Sequence, residues 1–147
     1  MRLLKAVEKA VENKWIQEEV IAQIGNNKFQ SDHIHCIPFL DKDEFNEYIG
    51  KARFVISHAG TGSIITALKR GKKVIAVARL AEFGEHIDDH QLEILDAFAK
   101  LNIIIPLNED LSDLEEKLKN IDTYNLEVYK SNTVNFNNNL IALIKNL

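Results

Sequence analysis

The chain has 147 residues, 46% hydrophobic and 27% charged, with a net charge of −4. That length supports one domain with a sizeable core, and the acidic balance without a basic block argues against nucleic acid as the main partner. No apolar run approaches the roughly 18 residues that span a bilayer. The start, Met1 to Lys9, alternates charges where a signal peptide has an apolar core, and the single Cys36 leaves no internal disulfide, so a reducing cytoplasm is the expected compartment.

Leu3, Leu4, Val7, Ala10 and Val11 recur at helical spacing and predict an amphipathic helix over 2–13. Val20–Ile24 reads as a strand ended by the Gly25-Asn26-Asn27 turn, and Ile34–Phe39 as a shorter one. In His33-Ile34-His35-Cys36, strand alternation puts both histidines opposite the cysteine, a poor start for a metal site. Asp41 and Glu44 have capping-box spacing and open a helix from Lys42 to about Lys51. Phe54–Ser57 and Val74–Ala78 are continuous apolar runs, as parallel strands covered on both faces require. Between them Ile64–Arg70 reads as a helix closed by Gly71, with a short basic patch of Lys69, Arg70, Lys72 and Lys73 that reads as a solvated helix end. A helix over Ile87–Leu101, a strand at Ile103–Pro106 and a helix at Leu111–Leu118 continue the alternation. Residues 121–147 form a C-terminal extension, asparagine-rich at 131–139, and Leu140–Leu147 suits a terminal helix packed on its own domain. The whole pattern predicts an α/β fold with a parallel sheet.

Two polar clusters stand out, each just past the carboxyl end of a strand, where open α/β sheets bind their ligands. In the first, His58-Ala59-Gly60-Thr61-Gly62-Ser63 leads from strand to helix. The first N–H groups of a helix lack intrahelical partners and favour negative charge, so the turn is a candidate phosphate site. It is not a P-loop, because no Gly-Lys-Ser/Thr closes it, and Ile65 occupies the third glycine position of a dinucleotide fingerprint. Taken alone, it is equally compatible with glycine used only for a tight βα turn. The second cluster is Gly84-Glu85-His86-Ile87-Asp88-Asp89-His90-Gln91, whose carboxylates and amide can hydrogen-bond sugar hydroxyls. His86 and His90 are four apart, compatible with a metal, but the helix-borne metalloprotease pattern is absent.

Together, Phe54–Ser63, Ala67–Ile75 and Gly84–Gln91 resemble the C-terminal domain of glycosyltransferase family 28, and within it the small donor-binding subunits of two-part UDP-sugar transferases. These serve capsule and exopolysaccharide synthesis, with a eukaryotic counterpart in dolichol-linked N-acetylglucosamine transfer. The resemblance covers Arg2 to about Leu118. It implies a Rossmann-like parallel sheet with helices on both faces, the C-terminal half of a GT-B enzyme, and a single nucleotide-sugar-binding domain over 1–147.

Carried over, it implies that Gly60, Thr61, Gly62 and Ser63 meet the donor diphosphate and that His58 stands beside it, a possible catalytic group. Asp89 and Gln91 would hold the transferred sugar, with Glu85 and His86 in the same loop. No cofactor and no metal is implied. The implied partners are a UDP-sugar and a membrane-associated subunit presenting a lipid-linked acceptor, which would recruit a cytoplasmic chain to the membrane for inverting transfer. A non-catalytic UDP-sugar-binding module and a UDP-sugar epimerase-like protein are the alternatives.

Two departures accompany the resemblance. Where broader members carry a ribose-binding glutamate, this chain has Thr66. Family members also place a buried strand and a glycine loop before the first helix, and this sequence begins at that helix. The expected consequence is that Val20–Ile24 and Phe54–Ser57 either pair directly or leave a gap, with a swapped or otherwise compensated dimer as one remedy.

Overall fold

The computed structural model describes residues 2–80 and 90–129. Their elements run α1 (Arg2–Glu12), β1 (Ile21–Gln23), β2 (His35–Ile37), α2 (Lys42–Lys51), β3 (Phe54–His58), α3 (Thr61–Lys69), β4 (Lys73–Val77), α4 (His90–Lys100), β5 (Ile105–Pro106) and α5 (Leu114–Lys119), followed by a 3₁₀ turn at Ile121–Thr123. All described strand pairs are parallel. The α/β alternation and parallel pairing are those expected from the continuous apolar runs.

The strands form two sheets, β1-β2 and β3-β4-β5. Among the described residues β1 and β3 do not pair, so the direct pairing is not the arrangement found there. One core joins the two sheets. Leu3, Val7 and Ala10 of α1 pack in a cluster with Ile34, with Ile75 and Val77 of β4, with Ile105 of β5, and with Leu114 and Leu118 of α5; Ala22 and Cys36 of the small sheet lie at its margin. A second core gathers Ile49 of α2, Ile64, Ala67 and Leu68 of α3, and Leu95 and Phe98 of α4 around Val74, Ala76 and Ala78. Successive residues of β4 therefore alternate between the two cores, so helices cover both faces of the larger sheet.

Local chemistry explains the element ends. Asp41 caps α2, its Oδ1 accepting from Glu44 N–H at 2.8 Å, as the capping spacing predicts. At the end of α3, Gly71 has φ +72°, and the N–H groups of Gly71 and Lys72 donate to the Leu68 and Ala67 carbonyls, a closure that uses glycine's left-handed freedom. The last helix begins later than Leu111. That residue has φ +61°, outside helical geometry, and Asp110 Oδ1 accepts from Ser112 N–H, which makes 110–112 a turn. β5 is shorter than Ile103–Pro106, although Ile103 and Ile104 are buried. The expected helix start at Ile87–Asp89 and the tail from 130 onward lie outside the described residues.

The basic patch sits at the end of the sheet opposite the glycine turn. Lys72 donates to the Gly50 carbonyl and Lys73 to that of Ile121, so part of its charge serves to tie element ends together. His33 faces Glu12 at 3.7 Å, on the α1 side of the small sheet. Cys36 Sγ–H points to the Ile34 carbonyl, and its thiol pKa is raised by burial and by Glu8, which disfavours the reactive thiolate.

Candidate functional site

The glycine turn leaves the carboxyl end of β3. His58 lies beside Val77 in the β3–β4 ladder, and Ala59 N–H continues that ladder onto the Val77 carbonyl at 2.9 Å. The His58 carbonyl accepts twice, from Ser57 Oγ and from Gly60 N–H, each at 2.7 Å. These bonds hold the chain through the reversal before the helix begins.

The helix starts three residues earlier than the apolar pattern indicates. The sequence predicts Ile64 as its first residue, but α3 runs from Thr61, with Gly60 as its N-cap. Thr61, Gly62 and Ser63 are thus the first helical turn, and their N–H groups are the ones that precede the i→i−4 ladder, which opens with Ile64 N–H on the Gly60 carbonyl at 3.3 Å. Polar, small residues masked this turn from a reading based on hydrophobic period.

No side chain caps that turn among the described residues. Gly60 has an ordinary extended backbone, φ −94° and ψ 134°, which any residue adopts. Among the described residues, a Cβ built on Gly60 or Gly62 meets nothing within 4 Å. Neither backbone strain nor close packing of the described residues therefore calls for glycine at these positions. The N–H groups of Thr61, Gly62 and Ser63 carry no cap from a described side chain. Thr66, at the position where the family has its ribose-binding glutamate, donates its hydroxyl to the Gly62 carbonyl at 2.8 Å within its own helix.

Gln91 belongs to the same end of the sheet. It lies in the first turn of α4, is only 9% exposed, and its Oε1 accepts from Arg79 N–H at 2.9 Å. The side chain thus fastens the start of α4 to the carboxyl end of β4. At that end of β4 the Val77 carbonyl already meets Ala59 N–H. The predicted His58, Gly60, Thr61, Gly62, Ser63 and Gln91 are therefore gathered around the ends of two neighbouring strands. Glu85, His86 and Asp89 lie outside the described residues.

Two arginines at this end escaped the sequence reading. Arg2, in the first turn of α1, reaches the Ala78 carbonyl at 3.3 Å from Nη2 and the Glu109 carbonyl from Nη1. Its charge also contributes, after the hydrogen bonds from Ser112, to holding the Asp110 carboxyl below its usual range. Arg79 follows the apolar run Val74–Ala78 directly. A charge immediately after a buried parallel strand was the available signal, since that is where such sheets meet ligands. Farther along the sheet, a groove of about 670 Å³ opens between α4 and the segment after β5, bordered by Leu92, Asp96, Leu107 and Asp110. It adjoins β5 and takes in none of the predicted site residues.

The glycosyltransferase family 28 C-terminal domain matches residues 1–147. Over 98 residues, 67% of this chain and 31% of the relative, the sequence is 36% identical to a UDP-N-acetylglucosamine transferase subunit ALG13 of Candida albicans. A protein of the same name from Kluyveromyces lactis is 38% identical over 85 residues, covering 52% of this chain and 41% of its own length. The human one is 34% identical over 80 residues, 51% of this chain and 7% of that protein. The chain spans about a third of the length of the first curated relatives it matches. No solved structure matches it. With the family domain matched over residues 1–147 and the glycine turn at the strand end where such a sheet binds ligands, this chain belongs to glycosyltransferase family 28, as its C-terminal domain.

Proposed function

We propose that this chain binds the UDP-sugar donor of a glycosyltransferase and works with a partner subunit. The observation that carries this reading is the uncapped first turn of α3, with open space at Gly60 and Gly62. The donor's diphosphate sits against the N–H groups of Thr61, Gly62 and Ser63, where the helix dipole favours negative charge. His58 stands at the strand end beside it, and the hydroxyls of Thr61 and Ser63 add donors. As the bond to the sugar breaks, charge grows on the leaving diphosphate, and donors already in place stabilise it without reorganising.

Glu85, His86, Asp89 and Gln91 belong, on this reading, to the sugar end of the site. Gln91 Oε1 serves Arg79 N–H, so the amide nitrogen is the part of that side chain that reaches for a hydroxyl. The relatives' name makes N-acetylglucosamine the first sugar to test. Inverting transfer to a lipid-linked acceptor, delivered by a membrane-associated partner to a cytoplasmic chain, completes the proposal; the acceptor's general base comes from outside the described residues or from that partner.

Calorimetric titration with UDP tests the site. Binding by the chain that a His58→Ala, Ser63→Ala double variant loses supports the reading, and a folded chain indifferent to UDP refutes it. Asp89→Ala separates roles: loss of transfer with UDP affinity intact places Asp89 at the sugar, whereas equal loss of both removes that assignment.

A further inference from the structure

Arg79 is fixed by the fold and its charge is unused within the described protein. Side chains of Ile75 and Val77 enter the core beneath α1, while Val74, Ala76 and Ala78 enter the opposite one. β4 ends at Val77, and Ala78 and Leu80 both enter the second core, so the exposed Arg79 between them faces away from it. On β3, Phe54 and Ile56 pack toward the core beneath α1, so His58, two residues on, belongs to the same side and lies beside Val77. Arg2 joins them there through its contact with the Ala78 carbonyl.

The backbone of Arg79 is held by the nearly buried Gln91 amide, yet its side chain is exposed and makes no hydrogen bond or ion pair among the described residues. Some basic side chains among the described residues are engaged. Arg53 bridges Glu18 and Asp122, and Lys72 and Lys73 donate to backbone carbonyls. Arginine's planar fork matches phosphate oxygens two at a time.

We propose that Arg79 is a binding residue for the donor diphosphate, its guanidinium closing from the β4 side an anion site whose other wall is the first turn of α3. The assignment rests on the donor-site reading above and adds a charge which that reading lacks.

Calorimetry on the full chain, with UDP and with uridine as separate ligands, tests it. Arg79→Ala is expected to weaken UDP by about tenfold or more while leaving uridine unchanged, as loss of a charge-assisted bond to phosphate requires. Arg79→Lys, which keeps the cation without the fork, should fall between. The Gln91 contact is to the backbone, so each variant retains it, and an unchanged thermal midpoint verifies the fold. A folded Arg79→Ala with wild-type UDP affinity, or with equal losses for UDP and uridine, overturns the role of Arg79 but leaves the donor site standing. A wild-type chain that ignores UDP overturns both.

Discussion

Gly62 gives the sharpest test at the scale of single residues. It occupies the first turn of α3 with no described neighbour in the way of a Cβ, and alanine is the better helix former by roughly 0.5–1 kcal/mol. Gly62→Ala should therefore keep or raise the thermal midpoint. If the open space serves a diphosphate, the same change weakens UDP binding, and calorimetry paired with thermal melting reads both effects. A variant that loses stability instead would return the glycine to a structural role. Gly71 is the contrasting case. Its φ of +72° is the left-handed region where a side chain is strained, so Gly71→Ala should destabilise by about 1 kcal/mol with UDP affinity intact, measured by denaturant unfolding.

At the scale of elements, the cap of α2 was legible because Asp41 and Glu44 announce it in polar residues. The Oδ1 to N–H bond at 2.8 Å is the physical content of that signal. Asp41→Ala should cost about 1 kcal/mol in an unfolding titration, and a cost near zero would show that water replaces the cap. The start of α3 was misread for the opposite reason: its first turn is Thr61-Gly62-Ser63, with no apolar residue to mark the period. Likewise Leu111 has the composition of a helix residue, but the Asp110–Ser112 turn holds it at positive φ and moves the start of α5 to Leu114. Hydrophobic periodicity thus finds the middle of an element and misses ends built from backbone hydrogen bonds.

At the scale of the molecule, the separation into β1-β2 and β3-β4-β5 governs how stability is distributed. Val74, Ile75, Ala76 and Val77 are fully buried and Ile75 and Ala76 are paired on both sides, whereas β1 is half-buried to exposed and pairs only with β2 among the described residues. Hydrogen exchange should find the β4 amides the most protected and those of Ile21–Gln23 markedly faster. Equal protection would mean that both sheets open as one unit through the core they share with α1. No described helix is long and apolar enough to cross a membrane. Any membrane attachment in the proposed function is assigned to the partner.

The amino-acid sequence by itself determined the α/β alternation, the parallel character of the buried strands and the glycine turn as a phosphate candidate. Each follows from local chemistry: an apolar run long enough for one strand, or small polar residues where a helix begins. Only the tertiary structure decided which residues share that end of the sheet. The register of β3 on β4 sets His58 beside Val77, the Gln91 amide binds Arg79 N–H, and α1 delivers Arg2 to the Ala78 carbonyl from 76 residues away. Such meetings depend on strand register and helix docking, which arise from contacts distant in sequence and leave no periodic signal along the chain.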